Sequence, residues 1–369
     1  MINRISYILF AFLLLQACRD DPFEVPYMYL PPQTTPYEIQ IPDSFPSLPP
    51  QDVELTVEGV TLGKKLFYDP ILSADGTQSC ASCHNQSLGF TDNGKRFSVG
   101  IDGKEGTKNA MPLFNLGYYT KFFWDGRSPN LMHQALQPVI DPLEMHNTWS
   151  NAIQKLQNHN EYPELFEKAY GNIPIDSTLV SHAITQFELS MISANSKYDK
   201  AIKFLVPFTL QEQLGMQIFN TEPRRKPTDP PGGDCFHCHG GPLFTDLMFN
   251  NNGLDDETTI AKGLEAVSGN SFDRGKFKTP SLRNIEVTGP YMHDGRFETL
   301  EQVVEHYNSG VKITPSLAPI MLKTDSLGDN QGIAGGLFLN NDEKAALVAF
   351  LKTLTDDQFL TNPEFAAPN

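Results

Sequence analysis

The sequence predicts a mainly α-helical protein of two similar halves, which meet near residue 200 and carry long loops. Two observations support this fold class. The second half of the chain repeats short motifs of the first half in the same order. Each half also ends in a segment whose apolar residues recur at intervals of three and four, which is typical of an amphipathic helix. No run of alternating polar and apolar residues gives a convincing strand prediction.

The internal repeat extends over most of the chain. Each half has a Gly-x-x-x-Phe motif, then Phe-Thr-Asp, then a Leu-x-Asn motif that leads ten residues later to Asp-Gly-Arg. Corresponding residues are Gly63 and Gly215, Phe90 and Phe244, Asn115 and Asn284, and Asp125 and Asp294. A duplication on this scale predicts two domains of the same fold.

Helix signals mark the ends of these halves. Apolar periodicity predicts helices over residues 179–192 and 342–354. Thr209 followed by Glu212 forms a capping-box pattern, which predicts the start of the helix that carries Gly215. Long ordered loops, of the kind that remain between these helices, usually have a function such as wrapping a bound group.

Bulk composition limits the classes of function. A chain of 369 residues is long enough for about two domains. Its formal net charge of -16 argues against binding to nucleic acid, which requires basic surfaces. The charge suits a soluble protein that meets a basic partner or a small neutral substrate.

The N-terminus has the features of an export signal. Arg4 precedes an apolar run, residues 5–15, that is too short to cross a bilayer. The sequence Leu-Gln-Ala-Cys that ends at Cys18 resembles a bacterial lipobox, with an unusual glutamine, and implies cleavage after residue 17 and lipidation of Cys18. The alternative is a plain signal peptide with an incidental cysteine. Both interpretations predict an exported protein, and lipidation would anchor it to a membrane.

Residues 18–50 are rich in proline, which fixes the backbone and removes hydrogen-bond donors. We interpret this segment as an extended tether behind the lipid anchor. The alternative is a strap packed on the surface of the folded part, which the aromatic residues Phe23, Tyr27 and Tyr29 would favour.

The sequence Cys-x-x-Cys-His occurs once in each half. The two copies are Cys80, Cys83 and His84, and Cys235, Cys238 and His239. Two thiols at this spacing can both bond the vinyl groups of a haem, and the adjacent histidine can bind its iron. Zinc sites, a redox-active thiol pair and, in an exported chain, disulfides are the alternatives. The histidines and matched flanks favour two covalent haem c groups, and thus two cytochrome c-like haem domains, residues 51–203 and 204–369.

Further motifs follow these sites in a fixed order. They are KNAMPLFN, FFWDGR, HQALQPVIDPLEM, FKTPSLRN and GPYMHDG. With them the chain resembles the bacterial di-haem cytochrome c peroxidase family, including its MauG-like branch. The resemblance covers residues 51–355 and implies that the N-terminal haem reacts with peroxide.

The resemblance also implies roles for three residues near that haem. Glu144 matches the distal glutamate, and a carboxylate there can take a proton from peroxide and return it to the departing oxygen. Gln134 matches the distal glutamine, whose neutral amide can orient the peroxide. Trp124 matches the tryptophan between the two haems of relatives and could help to carry electrons, although a buried aromatic role is the ordinary one for tryptophan.

A calcium site between the haems is a further implication of the resemblance. Asn109 matches the asparagine ligand, and the carbonyls of Thr288 and Pro290 match the backbone ligands. Oxygen-only ligation of this kind fits Ca²⁺.

Two positions depart from the usual pattern of the family. Many members have a histidine after Ser-Val-Gly that blocks the N-terminal haem, but Ile101 stands there and cannot bind iron. No histidine lies in residues 85–132 to replace it, so we expect an open haem. The sixth ligand of the C-terminal haem is usually methionine, whereas Tyr307 stands at that position, as in the MauG-like branch. A phenolate would lower the potential of that haem.

Other residues compete with Tyr307 for this role. The candidates are Met292, Met321, His293 and His306, and a merely packed Tyr307 also remains open. The sequence therefore predicts a tyrosine ligand without excluding a thioether or an imidazole.

Three functions follow from these expectations. The first is a peroxidase that reduces hydrogen peroxide to water with electrons from a small cytochrome c or cupredoxin in the periplasm. The second is a MauG-like enzyme that oxidises a side chain of a partner protein, and the third is a two-haem electron relay without catalysis. Relatives are often dimers, which leaves a homodimer open.

Overall fold

The structure is a computed structural model that describes residues 29–224, 229–322, 334 and 336–368. The expected signal peptide and Cys18 lie outside these residues. No helix among the described residues is long and apolar enough to cross a membrane. The described part is mainly helical, as the sequence predicts, and its only sheet has two short antiparallel strands, β1 (Phe249–Asn250) and β2 (Phe277–Lys278).

Helices are distributed over both halves of the described chain. In the first half they are α1 (Val57–Tyr68), α2 (Leu131–Ile140), α3 (Trp149–Gln157), α4 (Tyr162–Tyr170), α5 (Ser177–Ser190) and α6 (Lys197–Ile202). In the second half they are α7 (Leu210–Phe219), α8 (Phe236–His239), α9 (Glu265–Ser268), α10 (Leu300–Glu305), α11 (Asn341–Lys352) and α12 (Asp357–Thr361). The capping box at Thr209 forms as predicted and starts α7.

A close helix pair organises each half. In the first half α1 packs on α5, and a Cβ atom at Gly63 would lie 1.9 Å from the Ala183 carbonyl oxygen. In the second half α7 packs on α11, and a Cβ atom at Gly215 would lie 1.9 Å from the Ala346 carbonyl oxygen. The repeated Gly-x-x-x-Phe motif thus serves helix packing, because only glycine allows this approach.

The end of the chain returns to the first half. Phe359 of α12 packs edge-to-face on Phe90 and on Phe114, with ring centroids 5.8 Å apart in both pairs. Phe365 is also buried in this cluster. The division at residues 203 and 204 stays a prediction, but the last residues of the predicted C-terminal domain belong to the core of the N-terminal half.

Residues 30–50 lie against the folded part along much of their length. The Leu30 backbone donates to the Asn172 side chain at 2.8 Å, and Pro36 forms a β-bridge with Thr56. Phe45 is buried and packs edge-to-face on Tyr118. These contacts correspond to the packed strap rather than to the extended tether over this part of the segment.

One buried ion pair joins the two halves. The Arg283 guanidinium donates to both carboxylate oxygens of Asp199 at 2.8 and 2.9 Å, and both residues are almost fully buried. Asp199 lies on α6, whereas Arg283 follows β2. A bidentate pair of this kind fixes the relative position of the segments that carry it.

We expect Gly215→Ala to lower the free energy of unfolding by about 1–3 kcal/mol, because α7 and α11 must separate to admit the methyl group. The intrinsic helix preference of alanine acts in the opposite direction. Guanidinium denaturation of the haem-loaded protein, followed by far-ultraviolet circular dichroism, measures the change.

Gln217→Ala on the exposed side of α7 is the matched control. It should change the free energy of unfolding by less than about 0.5 kcal/mol. Equal effects of the two substitutions would contradict the packing role of Gly215.

Candidate functional site

The first Cys-x-x-Cys-His motif forms a tight turn. The amides of Cys83 and His84 donate to the Cys80 carbonyl oxygen at 3.1 and 3.0 Å. The His84 Nδ1 atom lies 2.7 Å from the Phe90 carbonyl oxygen, to which it donates in the tautomer that leaves Nε2 with its lone pair. Phe90 belongs to the Phe-Thr-Asp motif, so this repeated motif orients the histidine.

The N-terminal cavity adjoins this turn, and we define it by Cys83, His84, Trp124, Gln134 and Glu144, all of which line it. Helix α2 supplies Gln134, and the turn that follows the helix supplies Glu144. The structure therefore brings together the three predicted catalytic residues and the predicted iron ligand.

The environment of Glu144 shifts its acidity. Loss of hydration raises the pKa of this carboxyl group to about 7; the nearby Asp141 adds to the shift, and Arg127 opposes it. A carboxyl group with a pKa near neutrality can both accept and release a proton under ordinary conditions.

The loop that departs from the family pattern supports Glu144. The Ile101 amide donates to the Glu144 carbonyl oxygen at 3.0 Å. A Cβ atom at Gly100 would lie 2.2 Å from the Leu143 carbonyl oxygen, so this approach requires glycine. Among the described residues that line the cavity, His84 is the only histidine. An open N-terminal haem stays a prediction that agrees with this lining.

The second motif repeats the arrangement. Cys235 precedes α8, which contains Cys238 and His239, and the His239 Nδ1 atom lies 3.2 Å from the Phe244 carbonyl oxygen. We define the C-terminal cavity by Cys235, Cys238, His239, Met292 and Tyr307, all of which line it. Phe244 does not line the cavity and belongs to the adjacent hydrophobic core.

Tyr307 lies on a single π-helical turn, His306–Gly310, and its hydroxyl accepts a hydrogen bond from Asn252 Nδ2 at 3.3 Å. The same nitrogen lies 3.3 Å from the Met292 sulfur. Burial raises the pKa of Tyr307 to about 12. The free phenol is therefore neutral at ordinary pH, and a ferric iron would be needed to hold it as a phenolate.

The other candidate ligands differ in their surroundings. His306 does not line the cavity, and its Nε2 atom lies 3.1 Å from the Asn252 carbonyl oxygen. His293 stacks on Phe277 at a centroid distance of 3.6 Å, and burial lowers its pKa to about 4. Met321 lines the cavity and is buried in the core. Tyr307 and Met292 share the donor Asn252, and the identity of the sixth ligand stays a prediction.

A wall that contains Trp124 separates the two cavities. Trp124, Asn109 and Lys278 line both of them. The indole donates from Nε1 to the Asn109 carbonyl oxygen at 2.8 Å, and the Lys278 amide donates to the Trp124 carbonyl oxygen at 2.8 Å. The sequence-based position of Trp124 agrees with this wall; its role in electron transfer stays a prediction.

The sequence patterns did not identify two residues that lie near the cavities, Asn252 and Lys278. Asn252 had no motif to mark it. Lys278 lies within FKTPSLRN, is 5% exposed, donates to the Lys121 carbonyl oxygen and lies over the Tyr119 ring at 4.6 Å. Burial lowers the pKa of Lys278 to about 7. A lysine in an otherwise family-like motif gave no signal that it would be buried.

The three predicted calcium ligands, Asn109, Thr288 and Pro290, line the C-terminal cavity. The Asn109 side-chain nitrogen donates to the carbonyl oxygens of Lys95 and Arg96 at 3.2 and 3.1 Å. The calcium site stays a prediction.

Both cavities fit haem c. All four described cysteines are free thiols rather than disulfides. Each motif histidine is held through Nδ1 by a backbone carbonyl, which leaves Nε2 for an iron. The walls of the C-terminal cavity are mostly apolar side chains, as a porphyrin requires.

Known proteins resemble this chain over most of its length. A family model described as di-haem cytochrome c peroxidase matches residues 57–204. The chain is 36% identical to a cytochrome c551 peroxidase of Nitrosomonas europaea over 83% of this chain and 81% of the relative. It is 34% identical to the methylamine utilization protein MauG of Methylorubrum extorquens, over 85% and 82% of the two chains.

A solved structure agrees with these relatives. It is the crystal structure of a MauG-like protein associated with microbial copper homeostasis. The TM-score is 0.77 at 30% sequence identity, and the match covers 90% of this chain and 99% of the other.

The fold and the two motif-lined cavities define a di-haem c-type cytochrome with an enzyme-like pocket. The chain belongs to the di-haem cytochrome c peroxidase family, and the resemblance in its motifs is confirmed. It is an oxidoreductase with haem c cofactors.

We expect Tyr307→Phe to remove the oxygen ligand of the C-terminal haem, because only the hydroxyl can bind iron. The low-temperature electron paramagnetic resonance spectrum of the ferric protein should lose the signal of that haem and gain one from a changed coordination state. The optical spectrum should change at the same haem only.

Met292→Leu is the matched control in the same cavity and should leave both spectra unchanged. The reverse pattern, with a change for Met292→Leu and none for Tyr307→Phe, would identify the thioether as the ligand.

Asn252→Leu should shift the reduction potential of the C-terminal haem downward, since a phenolate without its hydrogen-bond donor is the stronger electron donor.

Proposed function

We propose that the protein is a peroxidase that reduces hydrogen peroxide to water with electrons from a small redox protein. One observation carries the proposal. Glu144, with a pKa near 7, and Gln134 line the same cavity as Cys83 and His84. A proton acceptor and an amide therefore line the cavity in which His84 would hold a haem, and this supports the proposal.

Cys80, Cys83 and His84 would hold the N-terminal haem, which would supply the redox chemistry of peroxide reduction. Glu144 takes a proton from the peroxide and delivers it to the departing oxygen, and Gln134 orients the peroxide. Arg127 favours the ionised state of Glu144, in which the residue can act as a base.

The two halves have different tasks in this proposal. Tyr307 would be a ligand of the C-terminal haem, which would supply one-electron chemistry. Trp124, in the wall shared by the cavities, helps electrons to pass to the N-terminal site. Calcium bound by Asn109, Thr288 and Pro290 would stabilise this junction.

The proposed location follows from the N-terminus. Export with lipidation of Cys18 would hold the protein at a membrane that faces the periplasm, within reach of a small cytochrome c or cupredoxin. Growth with a labelled fatty acid tests the anchor, since Cys18→Ala should lose the label.

A second function has support from specific observations. Ile101, which replaces the blocking histidine, and Tyr307, which matches the tyrosine of the MauG-like branch, both favour it. Proteins named MauG or MauG-like are among the similar proteins. A MauG-like enzyme would oxidise a side chain of a partner protein. In that case peroxide should cause a long-lived optical change at both haems. An electron relay without catalysis is less favoured, because it has no use for Glu144 and Gln134 in one cavity.

We expect Glu144→Gln to lower the rate of peroxide turnover by about 10²–10⁴-fold, because glutamine cannot transfer the proton. Reduction of both haems by dithionite should remain unchanged. Steady-state assays with peroxide and several reduced donors measure turnover, and Glu164→Gln on the exposed face of α4 is the matched control. Turnover no faster than that of free haem in the wild-type protein would refute the proposal.

The reaction with peroxide should depend on pH. Glu144 acts as a base, so its protonated form is inactive, and protonation dominates below its pKa. The rate should therefore rise as pH increases through about 7 and level off above it. Stopped-flow measurements from pH 5 to 9 give the midpoint, and Glu144→Gln should abolish this inflection. An inflection that survives in the variant would assign the titration to another group.

A further inference from the structure

An apolar surface lies where the two halves join. We call it the α6–α7 patch, and it consists of Ile202, Phe204, Leu205, Leu210 and Leu214. Phe204 is 96% exposed, Leu210 84% and Leu205 70%. Apolar residues this exposed and this close along the chain are typical of a surface that binds a partner.

The backbone holds Phe204 outward. Its φ angle is +58°, in the left-handed region that bulky residues rarely adopt. The Phe204 amide donates to the Ala201 carbonyl oxygen and the Leu205 amide to that of Lys200, both at 2.9 Å. The chain thus maintains an unfavourable conformation that exposes a phenyl ring, and no packing within the described protein accounts for it.

Aromatic side chains lead inward from this patch. The Phe208 ring lies 6.2 Å from the Tyr198 ring, and the Tyr198 ring lies 4.9 Å from the Phe244 ring. The Phe244 carbonyl oxygen in turn accepts the hydrogen bond from the predicted iron ligand His239. A packed aromatic series therefore connects Phe208, which lies between Leu205 and Leu210 in the sequence, with the residue that orients His239 of the C-terminal cavity.

Charges around the patch differ from those of the whole chain. The chain has a formal net charge of -16, yet α6 and the turn after it carry Lys200 and Lys203. Neither forms an ion pair within 4 Å with a carboxylate of the described residues, whereas Lys197 of α6 is paired with Glu212 of α7 at 2.6 Å. Asp199, the acidic residue of α6, points inward to Arg283. The border of the patch is therefore positive.

This sign of charge favours one occupant. Two copies that met symmetrically through the patch would bring their own lysines together, which is unfavourable. A partner with carboxylates around an apolar face would instead match both the apolar centre and the positive border.

We propose that the α6–α7 patch is the docking surface for the electron donor, a small redox protein with an apolar face bordered by acidic side chains. The inference rests on the proposed function in that the protein must receive electrons. In each encounter one electron leaves the reduced partner, which becomes oxidised, and reduces the ferric iron of the C-terminal haem. Two encounters and two protons supply the reduction of one peroxide to two waters.

The test uses a reduced mono-haem cytochrome c of negative net charge as the probe. Stopped-flow mixing with the ferric di-haem protein, without peroxide, gives the second-order rate constant for reduction of the C-terminal haem. The double substitution Phe204→Ser and Leu210→Ser should lower this constant at least about 10-fold, because apolar contacts at such a centre dominate binding. Reduction by dithionite, which needs no docking, should be unchanged.

Two further variants make the result specific. Phe272→Ser removes another phenyl ring that is 72% exposed, and it should have no effect on the rate constant. The double substitution Lys200→Glu and Lys203→Glu should lower the rate constant about 10-fold or more at low ionic strength and weaken its dependence on salt.

Several outcomes would overturn the inference. One is an unchanged rate constant in the double variant Phe204→Ser and Leu210→Ser. If light scattering also shows a smaller mass for this variant than for the wild-type protein, the patch is a self-association surface instead. Reduction by a basic cytochrome but not by the acidic probe would refute the charge assignment. Reduction of the C-terminal haem is measured without peroxide, so it tests docking alone. If this reduction depends on the patch but a separate steady-state assay shows no peroxide turnover, the peroxidase proposal is refuted and the docking surface stands.

Discussion

The hydrogen bond from the Trp124 indole to the Asn109 carbonyl oxygen holds the wall between two cavities that would each contain a haem. Lys278 completes this wall by donating its amide to the Trp124 carbonyl oxygen. The wall keeps the cavities apart and leaves one aromatic ring in contact with both. The proposed division of labour between the cavities depends on this separation, since a single merged pocket would give both haems the same surroundings.

Equal attachment motifs lie in unequal surroundings. Both motif histidines are oriented by the carbonyl of a phenylalanine in a Phe-Thr-Asp motif, so the proximal sides are alike. The other residues that line the cavities differ, with Glu144 in one and Tyr307 in the other. The desolvated carboxyl suits proton transfer, whereas a phenol suits ligation of ferric iron. The proposed function therefore depends on residues outside the repeated motif, and the α6–α7 patch adds a route by which electrons could enter.

Sequence patterns predicted much of the fold and the candidate site. Helical halves followed from apolar periodicity, and Gln134, Glu144 and Trp124 followed from ordered motifs. Periodicity could not show that Phe359 crosses to the first core, because it reports which face of a helix is apolar and not what covers it. Asn252 and the buried state of Lys278 were missed for a similar reason, since both depend on segments that are distant in sequence.

The sequence by itself determined the haem attachment motifs, the duplication, the helical class and the family, because these are encoded in local spacing and order. Tertiary structure alone decided that Glu144 is desolvated enough for a pKa near 7, and that Asn252 lies within reach of both Tyr307 and Met292. It also decided that Phe204 is exposed. Desolvation, shared hydrogen-bond donors and exposure are properties of packing, which arise only when distant segments meet.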